Sequence, residues 1–319
     1  MKKAYIIAVF CVAAWIAVNN PWTNSYTAHL KAEVVPVLKQ GDPLYQVIEK
    51  NAPKYDVQPS NAKIDQVWKA MPGYNGLRVD VPSSYKNMKK NGQFQEDKLV
   101  FEQVKPKVHL KDLPPSPIYR GHPDKPMVSF AINVAWGNEY LSQMLAVLKK
   151  HNVSASFFLE GNWVKKNPEV AKMIAEAGHE IGNHSYSHPD LKRMSAERTR
   201  QEILKTNEVI EATTEVKCKW FAPPSGSYRD ETVKIAADLN MKTIMWTVDT
   251  IDWQKPSPET ILNRVLGKIG NGSIVLMHPT DSTAKSLDRL ITQIEKKNLS
   301  IGTISELMNE ERIMQNPQK

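Results

Sequence analysis

The stretch Met127-Val128-Ser129-Phe130-Ala131-Ile132-Asn133 is a near-continuous apolar run, too short for a helix and halted by a polar residue. That is the pattern of a strand buried on both faces. Six similar runs follow, at Ser154–Leu159, His179–Gly182, Lys219–Phe221, Thr243–Val248, Ser273–Met277 and Leu299–Ile304. Helical segments separate most of them, at Tyr140–His151, Pro168–Ala177, Ala196–Glu211, Glu231–Asn240, Pro258–Ile269 and Ala284–Lys297. Ser195, Asp230 and Ser257 stand where N-caps belong, and Gly178 where a helix stops. Seven strands alternating with helices predict an α/β fold, either a parallel barrel or an open wound sheet.

Upstream of this region the prolines of Leu113-Pro114-Pro115-Ser116-Pro117, with Pro123 and Pro126, cannot continue a helix or a central strand. Residues 113–126 therefore read as a linker, preceded by a small α+β module over 28–112 and followed by the large unit over 127–307 and a tail over 308–319. Within the module, helices are expected near Pro43–Lys50 and Ala62–Ala70, a turn and strand over Met71–Val81, and a second strand over Lys98–Leu110. Met1-Lys2-Lys3, the uncharged run Ala4–Val18 and the break Asn19-Asn20-Pro21 have the layout of a secretory signal peptide over 1–27. Left uncleaved, residues 4–18 would tether the protein to a membrane. Either way the expected location is extracytoplasmic, secreted or at the cell wall.

Of 319 residues 41% are hydrophobic and 24% charged, a globular balance that excludes disordered, collagen-like and polytopic membrane classes. Two cysteines exclude a disulfide scaffold. The net charge is +8, and residues 28–125 hold 16 basic against 11 acidic side chains, whereas residues 126–319 hold 24 against 23. A basic module on an exported protein suits contact with anionic wall polymers. Export and the lack of a dense arginine and aromatic stripe argue against nucleic acid.

The residues that end the apolar runs concentrate chemistry. They are Asn133, then His184 and His188, then Pro223-Pro224-Ser225-Gly226, then Asp249 and Asp252, then His278. In either candidate fold, sites are built at the carboxyl ends of strands. His184-Ser185-Tyr186-Ser187-His188 has the i, i+4 spacing with which two imidazoles reach one zinc, although surface histidine pairs are also common. One of the two aspartates could orient an acid histidine, and Trp253 offers an aromatic wall for a sugar ring. The sum suggests metal-assisted hydrolysis.

These segments, in this order, resemble the polysaccharide deacetylase family, carbohydrate esterase family four, over Met127–Leu307. His184-Ser185-Tyr186-Ser187-His188 is similar to its H-[ST]-x-x-H segment, Asp252-Trp253 to its D-W segment, and Leu276-Met277-His278 to its L-x-H segment. The resemblance implies a distorted (β/α)7 barrel that removes N-acetyl groups from N-acetylglucosamine or N-acetylmuramic acid units of peptidoglycan or chitin-like glycan. It further implies a divalent metal, Zn²⁺ foremost, on His184 and His188, and His278 as the acid supported by Asp252. Pro223, Ser225, Trp253 and Leu276 would contact substrate.

Two segments depart from the pattern. The family's T-F-D-D-G corresponds to Ala131-Ile132-Asn133-Val134-Ala135-Trp136-Gly137, nearer to the F-D-I-S-W-G of a subgroup in spore-forming bacteria. Asn133 stands in place of the base and Val134 in place of the metal carboxylate. An amide has no proton-accepting pKa near neutrality, and valine cannot ligate. The R-x-P-[YF]-G segment is Ala222-Pro223-Pro224-Ser225-Gly226, so the arginine that pairs with the base is gone as well. Losing general-base help costs about 10²–10⁴ in rate. The expected function is a wall-glycan N-deacetylase of reduced activity. The alternatives are a catalytically inactive glycan-binding module and another amidase or esterase on the same barrel.

Overall fold

The computed structural model describes residues 41–314, so the expected signal segment lies outside the described residues. Among the described residues no helix is long and apolar enough to cross a membrane. The described residues divide into two compact units, one holding those up to Val57 together with Leu77–Glu102, the other holding Gln58–Gly76 and those from Gln103 onward.

In the smaller unit, helices α1 (Pro43–Asn51) and α2 (Val81–Met88) pack through Leu44, Tyr45, Ile48, Tyr85 and Met88. Asp42 and Asp80 cap them, each followed by a proline in the first turn. Helix α2 is unexpected, because the alternation of Val79 and Val81 about Asp80 reads as strand and hides the cap. Ala62–Ala70, expected to be helical, forms the hairpin β1 (Lys63–Asp65) and β2 (Lys69–Met71) of the larger unit. The Asp65 carboxylate accepts from Val67 N–H at 2.9 Å and Trp68 N–H at 2.8 Å, a local turn that outcompetes the helix. Strands β3 (Gly76–Val79) and β4 (Phe101–Val104) pair as a ribbon. The described residues of the smaller unit balance seven acidic against seven basic side chains, so the basic surplus assigned to residues 28–125 is not theirs.

The larger unit is a curled parallel sheet. Its strands are β5 (Met127–Val134), β6 (Ser156–Leu159), β7 (Glu180–Asn183), β8 (Trp220–Phe221), β9 (Lys242–Thr243), β10 (Val248–Asp249), β11 (Ile274–Met277) and β12 (Ser300–Gly302). The order is β10-β11-β5-β6-β7-β8-β9, with β12 also on β5. Helices α3 (Asn138–Lys150), α4 (Gly161–Lys166), α5 (Pro168–Glu176), α6 (Ala196–Thr214), α7 (Asp230–Asp238), α8 (Pro258–Leu266), α9 (Asp281–Glu295) and α10 (Ile304–Met308) alternate with the strands. The architecture is the (β/α)7 type, and β5 shows why. Val128, Phe130, Ile132 and Val134 join the helix-facing core, whereas Ala131 joins an inner cluster with Phe158, Trp220, Ala222 and Ile274. That alternation turns Asn133 inward and Val134 outward.

Three local expectations fail. Thr243–Val248, read as one strand, is split between β9 and β10, at opposite ends of the strand order. Ile118 fills the seam, donating to Thr243 O at 2.9 Å and accepting from Met245 N–H at 2.7 Å. The proline-dense 113–126 stretch is thus packed into the barrel unit rather than being a free linker, with Ile118 fully buried. Lys125 is also buried, and its ammonium donates to Glu306 O at 2.5 Å and Asn309 O at 2.6 Å, satisfying carbonyls at the end of α10. Burial pulls its pKa down to about 8. The third correction is smaller: Arg229, not Asp230, is the N-cap of α7.

Candidate active site

The carboxyl ends of β5, β10 and β11 and the loops after β7 and β8 enclose a cavity of about 470 Å³. Asn133, His184, His188, Ser225, Trp253, Leu276 and His278 all line it, joined by Trp136, Trp246 and Asp249. Pro223 is buried, and its carbonyl accepts from Gly226 N–H at 3.0 Å, fixing the turn that presents Ser225. Asp252 lies behind the wall.

The proton-donating half is fully built. Asp252 has no solvent exposure, and its carboxylate accepts from the backbone N–H of His278 at 2.6 Å and from Thr283 Oγ1 at 2.7 Å. Its other oxygen lies 2.8 Å from His278 Nδ1. Nδ1 must carry the proton to satisfy that contact, which leaves Nε2 for the cavity. The indole of Trp136 stacks on the His278 ring, with centroids 5.8 Å apart and planes 7° from parallel.

The histidine pair is held as firmly. His184 Nδ1 donates to Ala222 O at 2.8 Å, again freeing Nε2. The His184 and His188 ring centroids are 5.1 Å apart, edge to face. Burial, reinforced by His188, pushes the His184 pKa down to about 3, so the ring is neutral, and burial likewise lowers His188. Ser185 and His188 take left-handed backbone conformations. Glu202 on α6 holds the tight loop by accepting from Tyr186 N–H at 2.9 Å, Ser187 N–H at 2.8 Å and Ser187 Oγ at 2.8 Å. Sequence reasoning missed Glu202, whose place on a remote helix carries no local signal, and passed over Trp136 and Trp246.

The opposite half is not built. Asn133 is 4% exposed, and among the described residues nothing bonds to its buried Oδ1. Val134 is fully buried in the helix-facing core, away from the cavity. No described group of three histidine, cysteine, aspartate or glutamate side chains could hold a metal. Two imidazoles fall short of the three protein ligands of a catalytic zinc, so the donor set does not fit that ion. Glu160, at the end of β6, lines a neighbouring depression with Asn162 and Lys166 rather than the cavity, and burial raises its pKa. Among the described residues the only carboxylate lining the cavity is Asp249, which accepts from Ile251 N–H at 2.8 Å.

An imidazole aimed into a strand-end cavity by a buried carboxylate is equipped to protonate a leaving amine, and tryptophan walls suit a sugar ring. The class so defined is a (β/α)7 barrel with a carboxylate-held acid histidine at its strand ends. The profile of the family described as polysaccharide deacetylase matches residues 120–244. A Bacillus subtilis (strain 168) protein, described as "Uncharacterized protein YlxY", is 55% identical over 316 residues, 98% of this chain and 99% of its own. The crystal structure of wild-type BA3943, "a CE4 family pseudoenzyme from Bacillus Anthracis", is 57% identical with TM-score 0.81, covering 85% of this chain and 96% of that one. A mutant of BA3943 is described as having restored enzymatic activity. A peptidoglycan-N-acetylglucosamine deacetylase of Bacillus cereus is 37% identical over 171 residues, 52% of this chain and 62% of its own. This chain belongs to the polysaccharide deacetylase family, carbohydrate esterase family four, whose chemistry is hydrolysis of non-peptide amide C–N bonds.

Proposed function

We propose that the protein recognises N-acetylated glycan strands of peptidoglycan in the histidine cavity and hydrolyses them slowly at most. The observation that carries this reading is the asymmetry of the site. His278 with Asp252 is complete, while Asn133 supplies no base and Val134 no ligand. The likeness to peptidoglycan deacetylases supports the substrate class, and the likeness to a pseudoenzyme supports the loss of rate. The residue 1–27 pattern supports action outside the cytoplasm.

In this reading the walls bind and orient the acetamido sugar, and His278 Nε2 faces its nitrogen. No side chain accepts the proton of an attacking water at position 133. The test is acetate release from N-acetylglucosamine oligomers and peptidoglycan, run beside calorimetric binding of the same oligomers. We expect the native protein to bind but release little acetate, Asn133→Asp to release more, and Asn133→Asp with His278→Ala to lose that gain. Native release at or above the Asn133→Asp rate, or no binding, would overturn the proposal.

A further inference from the structure

The basic surplus that the smaller unit lacks lies in segments 58–76 and 103–125 of the larger one, which hold seven basic against three acidic side chains. Two of those lysines, Lys105 and Lys111, line a concavity of about 540 Å³ together with Lys242. Lys242 opens β9, and Trp220, which also lines the concavity, opens β8. The concavity therefore sits at the amino ends of the strands, away from the histidine cavity at their carboxyl ends. Among the described residues none of the three lysines has an ion pair. Lys242 is half-buried, and its ammonium, with three protons to donate, meets one acceptor there, Leu110 O at 3.3 Å. Burial lowers its pKa, and no carboxylate offsets that. Of the two acids that line the concavity, Glu310 is taken by His109 at 2.6 Å, and Glu311 helps to hold the buried Lys125 ammonium.

We infer that this concavity is an anion site, in which Lys105, Lys111 and Lys242 hold a phosphate group of an anionic wall polymer. A half-buried ammonium short of acceptors is stabilised by an anion that completes its hydrogen bonds, and such charge-assisted bonds are the stronger kind. Lysine heads are point charges on flexible stems, able to converge on an ion whose oxygens point several ways, whereas a planar carboxylate is the match for an arginine fork. Lys105 and Lys111 are exposed, so a polymer reaches them without burying its neighbouring repeats. The site docks the protein on the wall from the end opposite its glycan cavity and leaves that cavity free. The polymer as the source rests on the wall location proposed above; the phosphate chemistry does not.

The test is calorimetry on the full chain at low ionic strength with three probes: inorganic phosphate, a glycerol-phosphate polymer, and polygalacturonate of matched charge as a carboxylate polymer. The variants are Lys242→Met, which keeps an apolar stem, and Lys242→Gln, which serves if the first does not fold. Lys192→Gln with Lys255→Gln is the control, removing two exposed lysines from the loops after β7 and β10. One charge-assisted hydrogen bond corresponds to about tenfold in affinity. The native protein should bind the phosphate polymer more tightly than polygalacturonate, with inorganic phosphate competing. Lys242→Met should bind that polymer about tenfold more weakly at an unchanged melting temperature, and the control should stay within about twofold of native. Equal weakening in the control, native-like binding by the Lys242 variants, or no binding of phosphate or its polymer overturns the site. Binding of inorganic phosphate without the polymer overturns the polymer as its source, and equal affinity for polygalacturonate overturns the choice of phosphate. None of these outcomes depends on oligomer binding in the histidine cavity, so the glycan reading stands or falls separately.

Discussion

Gly137 and Pro279 touch so closely that a Cβ at position 137 would lie 2.0 Å from the Pro279 carbonyl oxygen. The contact clamps the loop carrying Trp136 onto the loop that follows His278, and Gly137 meets it with φ +84°, a conformation that disfavours side chains. Gly137→Ala must push the loops apart and strain the backbone, costing about 2 kcal/mol or more. We expect a lower urea midpoint and at least tenfold weaker oligomer binding, read by calorimetry under conditions where the variant is folded. Unchanged binding in a folded variant would show that the clamp does not position Trp136.

Asp252 receives three hydrogen bonds and meets no solvent. Asp252→Ala would leave the His278 N–H and the Thr283 hydroxyl without their acceptor, costing about 3 kcal/mol. Thr283→Val removes that bond and the one its hydroxyl accepts from Thr280 Oγ1 at 2.9 Å, and should cost about 1–2 kcal/mol. Both are measurable by equilibrium denaturation, and equal costs would contradict the ranking. In the Asn133→Asp background, Asp252→Asn should also depress acetate release, because His278 loses the acceptor that sets its tautomer.

The barrel was legible because its strands are buried on both faces, which writes continuous apolar runs into residues such as Met127–Ile132 and Ser154–Leu159. The strand ends were legible for the same reason, since His184, Asn133 and His278 interrupt those runs. What escaped was non-local. Ile118 fills the seam from inside a proline-dense stretch, and nothing in Pro114–Pro117 announces a partner more than a hundred residues away at Thr243. Glu202 and the Trp136–His278 stack are likewise made only by folding. The Ala62–Ala70 error was a failure of local chemistry, because the Asp65 turn competes directly with a helix.

His179 provides a pH test away from the cavity. Burial lowers its pKa, and its Nδ1 accepts from Ala155 N–H at 3.3 Å, which requires a neutral ring. A histidine with a depressed folded pKa is protonated more readily when unfolded. Its stability is therefore complete above its unfolded value, about 6.5, and is lost as pH falls below that value. Urea denaturation should find the native protein less stable at pH 5 than at pH 7.5. His179→Gln, which retains an acceptor, should flatten part of that slope, and an unchanged slope would remove His179 from the account.

Restoring a carboxylate at position 133 should carry a stability cost that the lost arginine explains. Asn133 Oδ1 is buried without a donor, and Ala222 occupies the position of the family's arginine. Asn133→Asp would put an ionised oxygen into that dry environment, and desolvation would raise the pKa of the new carboxyl group. The variant should lose about 1–3 kcal/mol at neutral pH relative to native, the cost of an unsatisfied buried polar group. Since its folded pKa lies above the unfolded value, the variant should recover stability as pH falls toward 5, on a slope opposite to that of His179. Its acetate release, by contrast, needs the ionised base and should grow as pH rises. Denaturation and acetate assays across pH 5–9 would therefore trend in opposite directions if the carboxylate introduced at position 133 is the only base. A pH-independent difference in stability from native would contradict the dry environment assigned to that oxygen.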